Sequence, residues 1–177
     1  MYTRNLLWLG SLVSAAPLYA ADVPANTPLA PQQVFRYNNH SDPGTLDPQK
    51  VEENTAAQIV LDLFEGLVWM DGEGQVQPAQ AERWEILDGG KRYIFHLRSG
   101  LQWSDGQPLT AEDFVLGWQR AVDPKTASPF AGYLAQAHIN NAAAIVAGKA
   151  DVTSLGVKAM DDRTLEVTLE QPRSEER

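Results

Sequence analysis

The sequence predicts an α+β fold built from β-hairpins. Three observations carry that expectation. Strand-like alternation recurs toward both ends of the chain, Asp/Gly turns join the alternating runs, and a capped segment of helical period lies between them. A length of 177 residues is enough for one ordinary domain with a sizeable core, and too short for two large ones.

In chain order, MYTRNLLWLGSLVSAAPLYA comes first: one basic residue, an apolar stretch over residues 6–16, then Pro17 and Ala20. This is the three-part layout of a secretory signal peptide, so residues 1–20 are expected to be removed after Ala20. The apolar stretch is too short to span a hydrocarbon layer of about 30 Å. Residues 21–33 hold three prolines and no periodicity, which predicts an extended lead-in. VFRYN, residues 34–38, alternates and predicts a strand, followed by the breakers Asp42-Pro43-Gly44 and Asp47-Pro48.

From Asn54, NTAAQIVLDLFEGL sets Ile59, Leu63 and Leu67 at helical spacing behind an Asn or Thr cap. LVWMDGEGQVQP then reads as a hairpin turning at residues 71–74. A second hairpin joins ERWEIL to KRYIFHLR through Asp88-Gly89-Gly90. After Trp103-Ser104-Asp105-Gly106 comes the firmest helix, TAEDFVLGWQRAV. Thr110 is its expected N-cap, Asp113 closes a capping box, and Phe114, Trp118 and Val122 share one face. Asp123-Pro124 stops it. SPFAGYLAQA and NNAAAIVAG predict two short helices. LGVKAM and TLEVTLE, joined at Asp161-Asp162, predict a closing hairpin.

Charge and composition narrow the function classes. The chain has 14 Lys and Arg against 23 Asp and Glu, for a net charge of −9. Residues 1–20 carry only Arg4, so their removal leaves −10. That balance repels nucleic acid and anionic membrane surfaces. The absence of cysteine excludes thiol catalysis, disulfides and Cys-type zinc sites. His40, His96 and His138 are far apart and lack the spacing of a metal-binding helix, and Ser104 has no nucleophile-elbow setting. No phosphate-binding glycine pattern occurs, and no cofactor is implied. A hydrolase using Glu52 and Glu53, or Asp161 and Asp162, is disfavoured because adjacent carboxylates on a strand or turn point apart. Glu52, Glu53 and Asn54 either cap the following helix or face a cationic ligand, and capping is the preferred reading. Trp69, Trp84, Trp103, Trp118, Phe130 and Tyr133 are expected to be mainly core, with Phe130, just after Ser128-Pro129, the least committed to it. From the residues alone, binding is favoured over catalysis and the ligand stays open.

A longer pattern adds to this. AERWEILDGGKRYIFHLRSGLQWSDGQPLTAEDFVLGWQRAVDP resembles the characteristic segment of the family-5 extracytoplasmic solute-binding proteins, the oligopeptide- and murein-peptide-binding group that serves ABC importers. NTAAQIVLDLFEGL, DPKTASPFAGYL and LGVKAMDDRTLEVTLEQP extend the resemblance over residues 21–172. It implies a two-lobed periplasmic binding protein, of which this chain is the N-terminal part. Residues 21–64 would begin the first lobe and 65–172 would form a small accessory domain. Residues 173–177, RSEER, diverge from the family pattern, and the second lobe would be absent. The resemblance further implies a monomeric, non-enzymatic receptor that binds oligopeptides in the periplasm and delivers them to permease subunits. Murein peptide, a nickel chelate or a signalling peptide are alternative ligands. Glu52, Glu53 and Asn54 would line the peptide site, and Phe130 would reach the bound peptide from the small domain.

Overall fold

The computed structural model describes Pro28, residues 31–32 and residues 34–172. The expected signal peptide at residues 1–20 and the divergent tail at residues 173–177 lie outside the described residues. The chain divides into two compact units, Met1–Asn38 and Asn39–Arg177. In the first, residues 34–38 form no strand. The alternation of VFRYN predicts pairing, but no neighbouring strand meets it among the described residues, and Phe35 and Tyr37 stack on each other at 6.0 Å instead.

The second unit holds helix α1 (Asn54–Leu63), a two-stranded ribbon of β1 (Val68–Met70) and β2 (Val76–Pro78), then strands β3 (Ala81–Leu87) and β4 (Arg92–Leu97). Helices α2 (Ala111–Val122), α3 (Ala131–Gln136) and α4 (Ala142–Val146) follow, and strands β5 (Val157–Asp161) and β6 (Thr164–Thr168) close it. β3, β4, β6 and β5 form, in that order, one antiparallel sheet. The closing hairpin therefore inserts β6 beside β4, an adjacency that sequence order does not announce.

The sheet has one apolar and one polar face, because residues paired across antiparallel strands share a face. Phe95 pairs with Trp84 and Leu165, and Tyr93 with Ile86 and Val167. Leu97, Leu165 and Val167 are buried, with Tyr93 and Phe95 packed beside them. Helix α2 covers this face, packing on β5 and β6 and burying Ala111, Val115 and Val122. Phe114 and Trp118, expected on that same face, pack against the core without being fully covered. On the polar face, His96 pairs with Arg83 and Thr164, and Ile94 with Glu85 and Glu166.

Turn chemistry sets the register. Asp88, Gly89 and Gly90 all take positive φ between β3 and β4, a conformation in which glycine escapes the Cβ penalty. The capping box of α2 forms as expected: the Thr110 N–H donates to Asp113 Oδ2 at 2.7 Å. Two boundaries differ from expectation. Helix α1 ends at Leu63, and Phe64 turns extended, so Leu67 lies outside the helix yet is buried in the core under β1. The final turn is Asp162-Arg163, with Asp161 the last residue of β5.

Candidate functional site

The N-cap of helix α1 lies one residue before the expected Asn54. Glu53 occupies the N-cap with extended backbone, and neither it nor Asn54 closes the helix end through a side chain. The capping reading of Glu52, Glu53 and Asn54 thus holds for the position of Glu53 but not for a side-chain hydrogen bond to the helix end. Asn54 is the first helical residue, and the Glu53 carboxylate lies back against Gly44, where an added Cβ would stand 2.5 Å from Glu53 Oε1. All three side chains are exposed.

The segment leading into them is anchored. Arg120 of α2 grips Asp47 with two hydrogen bonds, 2.9 and 2.6 Å, and Gln49 Oε1 with a third at 2.7 Å. The Arg120 hydrogen bonds hold the Asp47 carboxyl at about 2, well below its ordinary 3.8. The Ser128 hydroxyl donates to the Gln49 carbonyl at 2.7 Å, and its oxygen accepts the Phe130 N–H at 3.2 Å. Two residues after Ser128, Phe130 is the N-cap of α3 and meets Tyr133 with ring centroids 6.2 Å apart. Tyr133 is 68% and Phe130 37% exposed. The fold thus ties the Phe130 loop to the turn that precedes Glu52, Glu53 and Asn54, residues separated by more than 70 positions in sequence.

The aromatics divide differently from the core expectation. Trp84 and Trp118 are partly buried, but Trp69, Trp103, Phe130 and Tyr133 are exposed. Tyr133 was missed as a surface residue. Its only sequence signal is its place three residues after Phe130, one helical turn along a helix too short to bury a face.

The groups that resemble a catalytic cluster are spent on structure. His96 Nε2 lies 2.8 Å from Glu85 Oε1, and Arg83 reaches the same oxygen at 3.2 Å. The His96 hydrogen bond, then that of Arg83, draws the Glu85 pKa below its ordinary value. Asp105 accepts the Gln107 N–H at 2.9 Å inside the Trp103-Ser104-Asp105-Gly106 turn, an ordinary turn-closing bond. Asp161 accepts the Arg163 N–H at 2.8 Å, the bond that chiefly lowers its pKa. Among the described residues, no group of three His, Asp or Glu side chains could hold a metal ion. No described helix is long and apolar enough to cross a membrane. The described surface presents exposed aromatics, Phe130 and Tyr133 among them, and the exposed carboxylates of Glu52 and Glu53.

Comparison with known proteins places the chain in a family. Residues 75–176 match the model of the bacterial extracellular solute-binding proteins, family 5, middle region. The chain belongs to this family. The resemblance carried by the ERWEIL-to-WQRAV segment is thereby confirmed, as is the mixed α and β architecture. Over 172 residues the chain is 99% identical to the probable deoxycholate-binding periplasmic protein YgiS of Escherichia coli strain K12, covering 97% of this chain and 32% of that protein. It is 51% identical to the periplasmic oligopeptide-binding protein OppA of Salmonella typhimurium, covering 93% of this chain and 30% of OppA. Among solved structures, the murein tripeptide-binding protein MppA of Escherichia coli superposes with a TM-score of 0.71 at 46% identity, over 74% of this chain and 26% of MppA. The chain spans about a third of the length of the curated relatives it matches.

Proposed function

We propose that this chain carries one side of the ligand-binding surface of a substrate-binding subunit of an ABC importer. It takes oligopeptides in the periplasm for delivery to a membrane permease, and it performs no catalysis. In this reading residues 21–64 begin the first lobe and residues 65–172 form the accessory domain. Glu52, Glu53 and Asn54 line the peptide site, with Phe130 reaching the peptide from the accessory domain.

The observation that carries the proposal is the tie from Ser128 to Gln49, which holds the exposed Phe130–Tyr133 pair near an exposed acidic stretch. Carboxylates attract a peptide's amine or basic side chains, while aromatic faces accept varied apolar side chains. Extended backbone pairing would supply affinity independent of peptide sequence. The names of the relatives support the class: one is an oligopeptide-binding and another a murein tripeptide-binding protein.

A second reading has its own support, the 99% identity to a relative named as a probable deoxycholate-binding protein. A steroid acid would use the same aromatic faces, but Glu52 and Glu53 disfavour its anionic end. Calorimetric titration of the full-length YgiS relative, and of this chain without residues 1–20, separates the two. Tri- to pentapeptides should give heat with the relative. Heat from deoxycholate below its micelle concentration, with none from peptides, would replace the peptide reading by the steroid one.

A further inference from the structure

We propose that Gln49 is a positioning residue for the aromatic part of the binding surface. Its side chain fixes the turn from which Ser128 holds the Phe130 loop, and so sets ligand affinity without touching ligand. The inference rests on the reading that Phe130 belongs to the ligand-binding surface. All four polar groups of Gln49 are engaged, each with a different residue. Its N–H donates to Asp47 Oδ1 at 3.1 Å, and its carbonyl accepts the Ser128 hydroxyl at 2.7 Å. In the side chain, Oε1 accepts from Arg120 at 2.7 Å and Nε2 donates to the Gly117 carbonyl. Glutamine is among the side chains that lose most rotamer freedom when fixed, and here several bonds together hold a half-buried one.

The anchor is a rigid one. Gly117 and Arg120 are three residues apart on α2, on the side turned away from the buried Ala111, Val115 and Val122. Gln49 therefore clamps the turn at residues 48–50 to the helix that covers the sheet. The two bonds from Arg120 to Asp47 fix the start of that turn. The Gln49 side chain fixes its middle, where the carbonyl bonded by Ser128 lies. Two neighbours carry the clamp to the surface. Ser128 Oγ accepts the Phe130 N–H at 3.2 Å, and Val51 is buried immediately before Glu52. A looser turn would leave the Phe130 loop in several placements, and ligand would then bind only the fraction in the competent one.

The test uses the full-length YgiS relative, 99% identical over the matched residues. Gln49→Met keeps the side chain's length and bulk and removes its two polar groups. Ser128→Ala and the double variant complete a cycle. Trilysine and deoxycholate are titrated separately by calorimetry. For whichever probe the unsubstituted relative binds, each single variant should weaken binding about 5- to 10-fold. The double variant should add no more than about 2-fold, because both substitutions act through one tie. The thermal midpoint of the ligand-free Gln49→Met variant should fall by no more than about 2 °C. Without ligand, hydrogen exchange over residues 128–133 should speed by about 5-fold or more in Gln49→Met. Unchanged affinity for a probe that the unsubstituted relative binds would overturn the proposal, and so would unchanged exchange. A midpoint lowered by more than about 10 °C would assign Gln49 to global stability and overturn it as well. If the unsubstituted relative binds neither probe, the peptide and steroid readings fail, and the exchange rate alone decides whether Gln49 places the Phe130 loop.

Discussion

Asp47 and Arg120 are 73 positions apart, and nothing in either neighbourhood signals that they meet. Their contact makes acid sensitivity predictable. The folded-state pKa of Asp47 is depressed to about 2 from 3.8, so its contribution is present above about pH 4 and lost as pH falls through 2. Both side chains are partly solvated, which limits the contribution to about 1 kcal/mol. Urea titrations of Asp47→Asn and the parent at pH 6 and pH 2.5 should show the difference between them shrinking at the lower pH. A constant difference would mean that the pair is not the source. At the binding surface, Glu52→Gln in the full-length relative should weaken a lysine-rich tripeptide by about 3- to 10-fold at low salt and less at 0.5 M salt, measured by calorimetry. Glu52, Glu53, Asn54 and Phe130 were nameable in advance only through the family pattern. Tyr133 was not, because exposure of an aromatic depends on what the fold leaves uncovered.

At the level of elements, local rules worked wherever the signal was local. The α2 capping box was legible because Thr110 and Asp113 satisfy each other within one turn. Asp113→Ala should cost about 1 kcal/mol in urea-induced unfolding. The hairpin turns were legible for the same reason. Boundaries failed where tertiary partners decide: VFRYN alternates but finds no strand to pair with, and α1 stops at Leu63 so that Leu67 can enter the core. Gly156 shows the same limit. A Cβ there would lie 2.6 Å from Asn140 Cβ and 2.7 Å from the Thr168 carbonyl oxygen, while its own N–H donates to the Asn140 carbonyl at 2.9 Å. Gly156→Ala must therefore push apart the loop before α4 and the end of β6. We expect a loss of about 1–3 kcal/mol, read by thermal or urea denaturation.

Over the whole molecule, one core serves the sheet and the helices that cover it. Leu97, Ile145, Leu165 and Val122 are its largest fully buried side chains, contributed by β4, α4, β6 and α2. Removing one should destabilise everything packed on it. Leu165→Ala should cost about 2–5 kcal/mol in urea-induced unfolding, a large share of the 5–15 kcal/mol typical of a domain. A loss below 1 kcal/mol would mean that β6 is not central. The opposite surface is polar, and His96, Glu85 and Arg83 occupy one another on it. That mutual pairing is why a histidine in a strand amounts to structure here.

Sequence alone determined the α+β class, the hairpins, the capped helix and, through one segment, the family. These features rest on neighbours within a few residues or on an ordered run of residue types. Tertiary structure decided the strand order β3-β4-β6-β5, the anchoring of Asp47 by Arg120, the tie of Ser128 to Gln49, and which aromatics stay exposed. Each of those depends on contacts between distant residues, whose energies are set by packing and solvent exclusion and leave no local periodicity to read.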